Sequence, residues 1–253
     1  MLSYESLNNN RLLPKLPVII VLNGRSFRKM TSLIEKPFSF DFLEAMSNVA
    51  VKLMSEIDGS IFCYSFNDEL IIVARNDQHI NTEIWFDGFV QKIVSAAASI
   101  ASIEFSRAAK EKKLDLLGDP IFVVNTFVVP NITEAINYMI YKQQVAFQTS
   151  LSLAAFYELS KKYDSETVKQ TLSDKTSAAK ADILFEECNI EFNNYALPFR
   201  RGIVCFRAPK IMEIDGIEQI RHKLMVDMEI PLFTKDAEFL SSIFKTGRDI
   251  FRA

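Results

Sequence analysis

The order in which apolar residues change period near the N-terminus does most to limit how this chain can fold. "LPVIIVL" (16–22) is short and β-branched and carries Pro17 near its start, which reads as a buried strand. "FDFLEAMSNVAVKLMSEI" (40–57) follows Ser39 and repeats apolar residues at Phe42, Met46, Val49, Leu53 and Ile57, a helical spacing with Ser39 as its N-cap. "SIFCYSFNDELIIVA" (60–74) reads as two strands joined by a tight turn at Asn67-Asp68. Residues 80–109 place Ile84, Phe89, Ile93, Ala97, Ile100 and Ala101 on one helical face, and "DPIFVVNTFVVP" (119–130) is a further strand ending at Pro130. The sum is β-α-β-β-α-β, the ferredoxin-like arrangement of an α+β protein, with an antiparallel sheet and two helices on one face. In that topology the first strand and the hairpin are neighbours at the sheet centre, so Asn23 and Asp68 come from adjacent strand ends.

The second half reads as mainly helical. Thr133 caps a long helix with Glu134 in its first turn, running to about Ser160; Asp164 or Ser165 caps a short helix, and another covers about 177–188. "FNNYALPFRRG" (192–202) is turn-rich, and Asp215-Gly216 reads as the turn of a β-hairpin. No repeat and no linker-like composition separates the halves. A sheet-bearing unit over 1–131 and a helical unit over 132–253 are expected to pack together.

Composition then narrows the partners. A formal net charge of -3 supplies no global basic field, so a nucleic acid would have to be met by a local cluster of Lys and Arg. Cys63, Cys188 and Cys205 are odd in number and far apart in sequence, which fits neither a disulfide framework nor a zinc ligand set and points to a reducing, cytoplasmic setting. No apolar stretch reaches the roughly 18 residues of a membrane helix, so no membrane partner is expected.

Two turns hold residues with chemistry to offer. Asp68-Glu69 is either a solvated hairpin tip or a pair of hard oxygen ligands for Mg²⁺. Asn23-Gly24-Arg25 is either a plain turn, since Asn and Gly tolerate positive φ, or a phosphate cradle whose exposed N–H groups are joined by Arg25 and Arg28. His79 and His222, the only histidines, lie in unrelated segments, so a histidine metal cluster or a Ser-His-Asp triad is hard to build. Neither G-x-x-x-x-G-K-[ST] nor G-x-G-x-x-G occurs.

Several stretches together resemble the tRNA-histidine guanylyltransferases and their relatives that repair tRNA 5′ ends. The family's D-G-R-x-F turn resembles "NGRSF" (23–27), its S-D-E hairpin resembles "NDE" (67–69), and its Lys-Pro resembles Lys36-Pro37. The K-N-E-x-L-F…G-I-N-Y-N-N…R-K-G segment resembles "KADILFEECNIEFNNYALPFRRG" (180–202). The resemblance implies a polymerase-like palm in which two Mg²⁺ ions are held at Asn23, Gly24 and Asp68, with Glu69 adjacent. It implies nucleotide contacts along Asn23, Gly24, Arg25, Ser26, Phe27 and Arg28, at Asn67 and Asp68, and at Lys92. Lys180, Asn193, Asn194 and Arg200 become phosphate or tRNA contacts. ATP and GTP are the implied substrates, tRNA the implied partner and a homo-tetramer or homodimer the implied assembly. The implied reaction activates a tRNA 5′ end with a nucleoside triphosphate and then adds nucleotides in the 3′-to-5′ direction.

The chain also departs from that pattern. Asn23 stands where the family has Asp, which removes a negative charge from the metal site. The basic R-R-x-S-K run corresponds to "GFVQK" (88–92), which leaves Lys92 to meet the triphosphate. The H-I-N-N-L-Y-N motif of members specific for histidine tRNA corresponds to "FQTSLSL" (147–153). These departures point to a tRNA-repair enzyme, or alternatively to a catalytically impaired palm that binds nucleotide or RNA.

Overall fold

Alternation along the first strand explains why both faces of the sheet are covered. In β1 (Val18–Gly24), Val18, Ile20 and Leu22 enter one apolar core, while Ile19 and Val21 enter a second on the opposite face. The first core is closed by α2 (Phe40–Glu56) and α3 (Val90–Glu111). The second is closed by α4 (Ile132–Leu159) and α8 (Ala237–Asp249). A strand buried on both sides has no polar alternation, which is why "LPVIIVL" is apolar throughout. The computed structural model describes residues 9–78, 80–214 and 217–249. His79 and the Asp215-Gly216 turn lie outside the described residues.

The remaining strands are β2 (Ser60–Phe66), β3 (Glu69–Ala74), β4 (Phe122–Val128), β5 (Ile203–Ile214) and β6 (Ile217–Asp227). They form an antiparallel sheet in the order β4-β1-β3-β2-β5-β6, so the α+β palm topology expected from the element order is present. The β5–β6 hairpin of the C-terminal half extends this same sheet, because β5 pairs with β2 from Phe62↔Phe206 to Ser65↔Ile203. Smaller helices complete the chain: α1 (Phe27–Met30), α5 (Ser165–Leu172), α6 (Ser177–Cys188) and α7 (Leu197–Arg201).

Three local expectations need correction. The helix expected over 80–109 begins only at Val90, because Phe86 (φ 53°), Asp87 (φ 53°) and Gly88 (φ 74°) are left-handed in succession. Ile84 and Phe89 kept the helical spacing by chance; Ile84 reaches the core from an irregular segment. The N-cap of α4 is Asn131, whose Oδ1 accepts the Glu134 N–H at 2.9 Å, and Thr133 lies inside the first turn. β1 continues through Asn23 and Gly24, and the left-handed residue is Ser26 at φ 59°. Cys63 and Cys205, distant in sequence, face each other across β2 and β5 as free, buried thiols, with no disulfide between them.

Candidate active site

The site forms where β1 and the β2–β3 hairpin end together. The Gly24 N–H donates to the Asp68 carbonyl at 2.9 Å, and Asn23 stands opposite Glu69 in the strand register. Directly opposed residues share a face, so Asn23 and Glu69 both lie on the side that α4 covers. Asn67 takes the left-handed conformation at φ 50° that closes the hairpin, as an Asn can without much strain.

Gly24 is required by packing. A Cβ there would fall 2.3 Å from Phe27 Cγ, and the Phe27 ring is wedged among Phe105 and Phe122, with centroids 5.2 Å and 5.0 Å away. The ring therefore anchors the strand-to-α1 turn to the core, while Arg25, Ser26 and Arg28 stay exposed. The Arg25 N–H is taken by the Ile121 carbonyl at 2.7 Å, whereas the N–H groups of Ser26, Phe27 and Arg28 bond to no carbonyl among the described residues. Backbone donors left free beside a guanidinium are suited to anionic oxygens.

The carboxyl groups at the hairpin are not equivalent. Burial, opposed by a bond from its own N–H and reinforced by the charge of Glu69, pushes the Asp68 carboxyl above the usual carboxylate range. Asp68 has no ion-pair partner among the described residues. Glu69 does: its Oε1 lies 2.6 Å from Lys142 Nζ of α4, with the two side chains 23% and 14% exposed.

Asp68 and Asn67 open onto a cleft of about 190 Å³ whose walls include Phe27, Phe38, Phe42, Tyr157 and Phe199. The Phe38 and Phe199 rings stack at 4.9 Å, and Arg28 lies 5.5 Å over the Phe156 ring. At the rim, Lys36 Nζ donates to Thr31 Oγ1 at 3.3 Å and sits 5.6 Å from the Tyr157 ring centre; burial pushes its ammonium down. An aromatic slot lined also by a lysine and a carboxyl group suits a flat base attached to a charged tail.

The family profile described as tRNAHis guanylyltransferase matches residues 1–130, and the Thg1 C terminal domain matches residues 134–235. The chain belongs to the tRNAHis guanylyltransferase family. Its resemblance to tRNA(His) guanylyltransferase of Debaryomyces hansenii is 27% identity over 206 residues, covering 78% of this chain and 76% of the relative. A bacterial tRNA(His) guanylyltransferase-like protein in complex with ATP superimposes with TM-score 0.82 and 28% identity, covering 96% of both chains. One in complex with GTP superimposes with TM-score 0.74 and 26% identity, covering 96% of both chains. The expectation of a nucleotidyltransferase is thereby met at the level of the family.

The other residues assigned from the family's motifs fall into three places. Lys92 is remote: it lies on the first turn of α3 over the Phe89 ring, about 20 Å along the helix from Phe105, which touches Phe27. Within one chain it does not share the site of Asn23 and Asp68, because α3 runs the length of the sheet. Lys180 Nζ donates to Ser152 Oγ at 3.0 Å across an open groove between α4 and α6, and Leu153 lines both this groove and the cleft. Arg200 donates through Nε to the Tyr195 carbonyl at 2.7 Å and through a terminal nitrogen to Asn193 Oδ1 at 3.1 Å, while Asn194 is exposed beside them.

Among the described residues no group of three or more His, Cys, Asp or Glu side chains is placed to hold a metal, and no helix is long and apolar enough to cross a membrane. Lys142 and Tyr157 were missed by sequence reasoning. Both lie on a long helix whose polar and aromatic residues carry no local signal of which side meets the sheet end.

Proposed function

We propose that this protein adds nucleotides to the 5′ end of tRNA in the 3′-to-5′ direction, template-directed, through a 5′-adenylylated intermediate, and that it serves 5′-end repair. The observation that carries this reading is Asp68: a carboxyl with no ion-pair partner among the described residues, bonded through its backbone to Gly24, in the lining of an aromatic-walled cleft. The ATP- and GTP-bound neighbours support nucleoside triphosphates as its substrates.

Phosphoryl transfer asks a protein for positioning and charge neutralisation more than for covalent chemistry. Asp68, the Asn23 amide and the Gly24 carbonyl are hard oxygen donors that fit Mg²⁺, which would supply charge neutralisation at the polyphosphate. The N–H groups of Ser26 to Arg28 and the Arg25 and Arg28 side chains would bind polyphosphate oxygens, and Phe38, Phe199 and Tyr157 would hold the base. Lys180, Asn193, Asn194 and Arg200 would meet the tRNA backbone. The protein acts as an oligomer in the cytoplasm in this reading.

A binding-only role is the second reading, favoured by the missing charge at Asn23. One assay decides between them. Incubated with 5′-truncated tRNA, ATP, GTP and Mg²⁺, the protein should lengthen the tRNA at its 5′ end and pass through an adenylylated species. Neither species appearing, with Asn23→Asp failing to restore them, would sink the enzyme reading.

A further inference from the structure

The cross-strand partners Asn23 and Glu69 lie on the face of the sheet that α4 covers, and Lys142 descends from α4 onto Glu69 at 2.6 Å. With side chains 14% and 23% exposed, the pair is shielded from much of the solvent that weakens surface ion pairs. Its geometry is held from above. Gln143, 3% exposed, accepts the Phe233 N–H at 2.8 Å and donates to the Pro231 carbonyl at 3.0 Å, and Met139 is fully buried, so α4 has one rotation about its axis here. Lys142 is therefore placed at the strand ends by the packing of its neighbours.

The resulting charges are unequal. Asn23 contributes a neutral amide, Glu69 is neutralised by Lys142, and Asp68 has no ion-pair partner among the described residues. Two divalent ions about 3.5–4 Å apart repel each other and are held together by anionic ligands that both can share. One uncompensated carboxylate is a poor frame for such a pair, whereas it suffices for a single ion that brings water and polyphosphate oxygens as its other ligands.

We propose that Lys142 is the resident cation of this site: its ammonium occupies Glu69, so that one divalent ion, held through Asp68, is loaded with the nucleotide where a two-metal site would load a pair. The inference rests on the nucleotide-transfer reading above and departs from the expectation of two ions. Lys142 is on this view a positioning residue, acting through Glu69 on the number of metals.

Electron paramagnetic resonance with Mn²⁺ and the non-hydrolysable guanosine 5′-(β,γ-imido)triphosphate tests it without turnover. Wild type should hold one Mn²⁺ per chain with an uncoupled six-line spectrum, and Lys142→Arg should do the same. Lys142→Met, which keeps an unbranched stem and loses the charge, frees Glu69 and should raise the count to two, with the broadened spectrum of a spin-coupled pair. A coupled pair in wild type overturns the inference even if Lys142→Met does not fold. So does a Lys142→Met chain with wild-type circular dichroism that still holds one ion. Nucleotide-dependent Mn²⁺ binding absent from wild type overturns both this inference and the reading beneath it.

Discussion

Asn23 and Glu69 face each other across β1 and β3, and only Glu69 carries a charge. Around them Gly24 bonds to Asp68 and α4 lies overhead, and Asn23 leaves one charge fewer than the D-G-R pattern supplies. That difference is open to direct measurement.

Asn23→Asp should supply the carboxylate of the D-G-R pattern, opposite Glu69 at the strand end that adjoins the Asp68 turn. Mg²⁺ half-saturation of 5′-end addition is expected to fall about tenfold, which corresponds to about 1.4 kcal/mol of added ion affinity. Metal titration of the rate at fixed GTP checks it; an unchanged or higher half-saturation point would separate Asn23 from the metal site.

Gly24→Ala forces a Cβ to within 2.3 Å of the Phe27 ring, which cannot move freely between Phe105 and Phe122. Overpacking of this kind costs about 1–3 kcal/mol. Urea unfolding should show that loss, together with weaker GTP binding, because the displaced ring carries the turn from Ser26 to Arg28.

Lys92→Ala should leave the KM for GTP within about twofold of wild type, since Lys92 sits at the far end of α3, about 20 Å from Phe105 along the axis. Arg28→Ala is the contrasting variant, with an expected KM increase of about tenfold for loss of a phosphate contact worth about 1.4 kcal/mol. Steady-state kinetics on both variants would distinguish the two positions.

Tyr195 sets an alkaline limit on stability. Burial, then the charge of Glu158 and the bond to it, raise its phenol to about 12, above the roughly 10 of an unfolded chain. The folded chain thus keeps a proton that the unfolded chain has released. The stabilisation is complete below about pH 10 and is lost as pH rises through about 12. Tyr195→Phe should flatten this limb in urea melts recorded from pH 8 to 11.5; Cys205, also raised to about 12 by burial, contributes to the same limb, as do Cys63 and Tyr64, which burial raises as well.

Much of the fold was legible because short-range patterns carry it. The β-branched runs, the Ser39 cap and the Asn67-Asp68 turn follow from residues that interact within a few positions of one another. The failures share a cause. Ile84 and Phe89 repeat at a helical spacing, yet three left-handed residues between them come from how the segment docks against Leu12 and the core, which local periodicity does not encode. The β5–β6 hairpin could be seen as a hairpin, but its attachment to β2 is a pairing over more than a hundred residues.

The candidate site divides along the same line. By itself the sequence determined which polar and charged residues gather near one sheet end, because Asn23-Gly24-Arg25 and Asn67-Asp68-Glu69 are contiguous motifs at adjacent strand termini. Only the tertiary structure decided how those groups are charged and which belong together. α4 brings Lys142 onto Glu69 and leaves Asp68 without an ion-pair partner among the described residues, and the length of α3 carries Lys92 away. Electrostatic environment depends on distance in space, and the packing of helices on a sheet sets that distance.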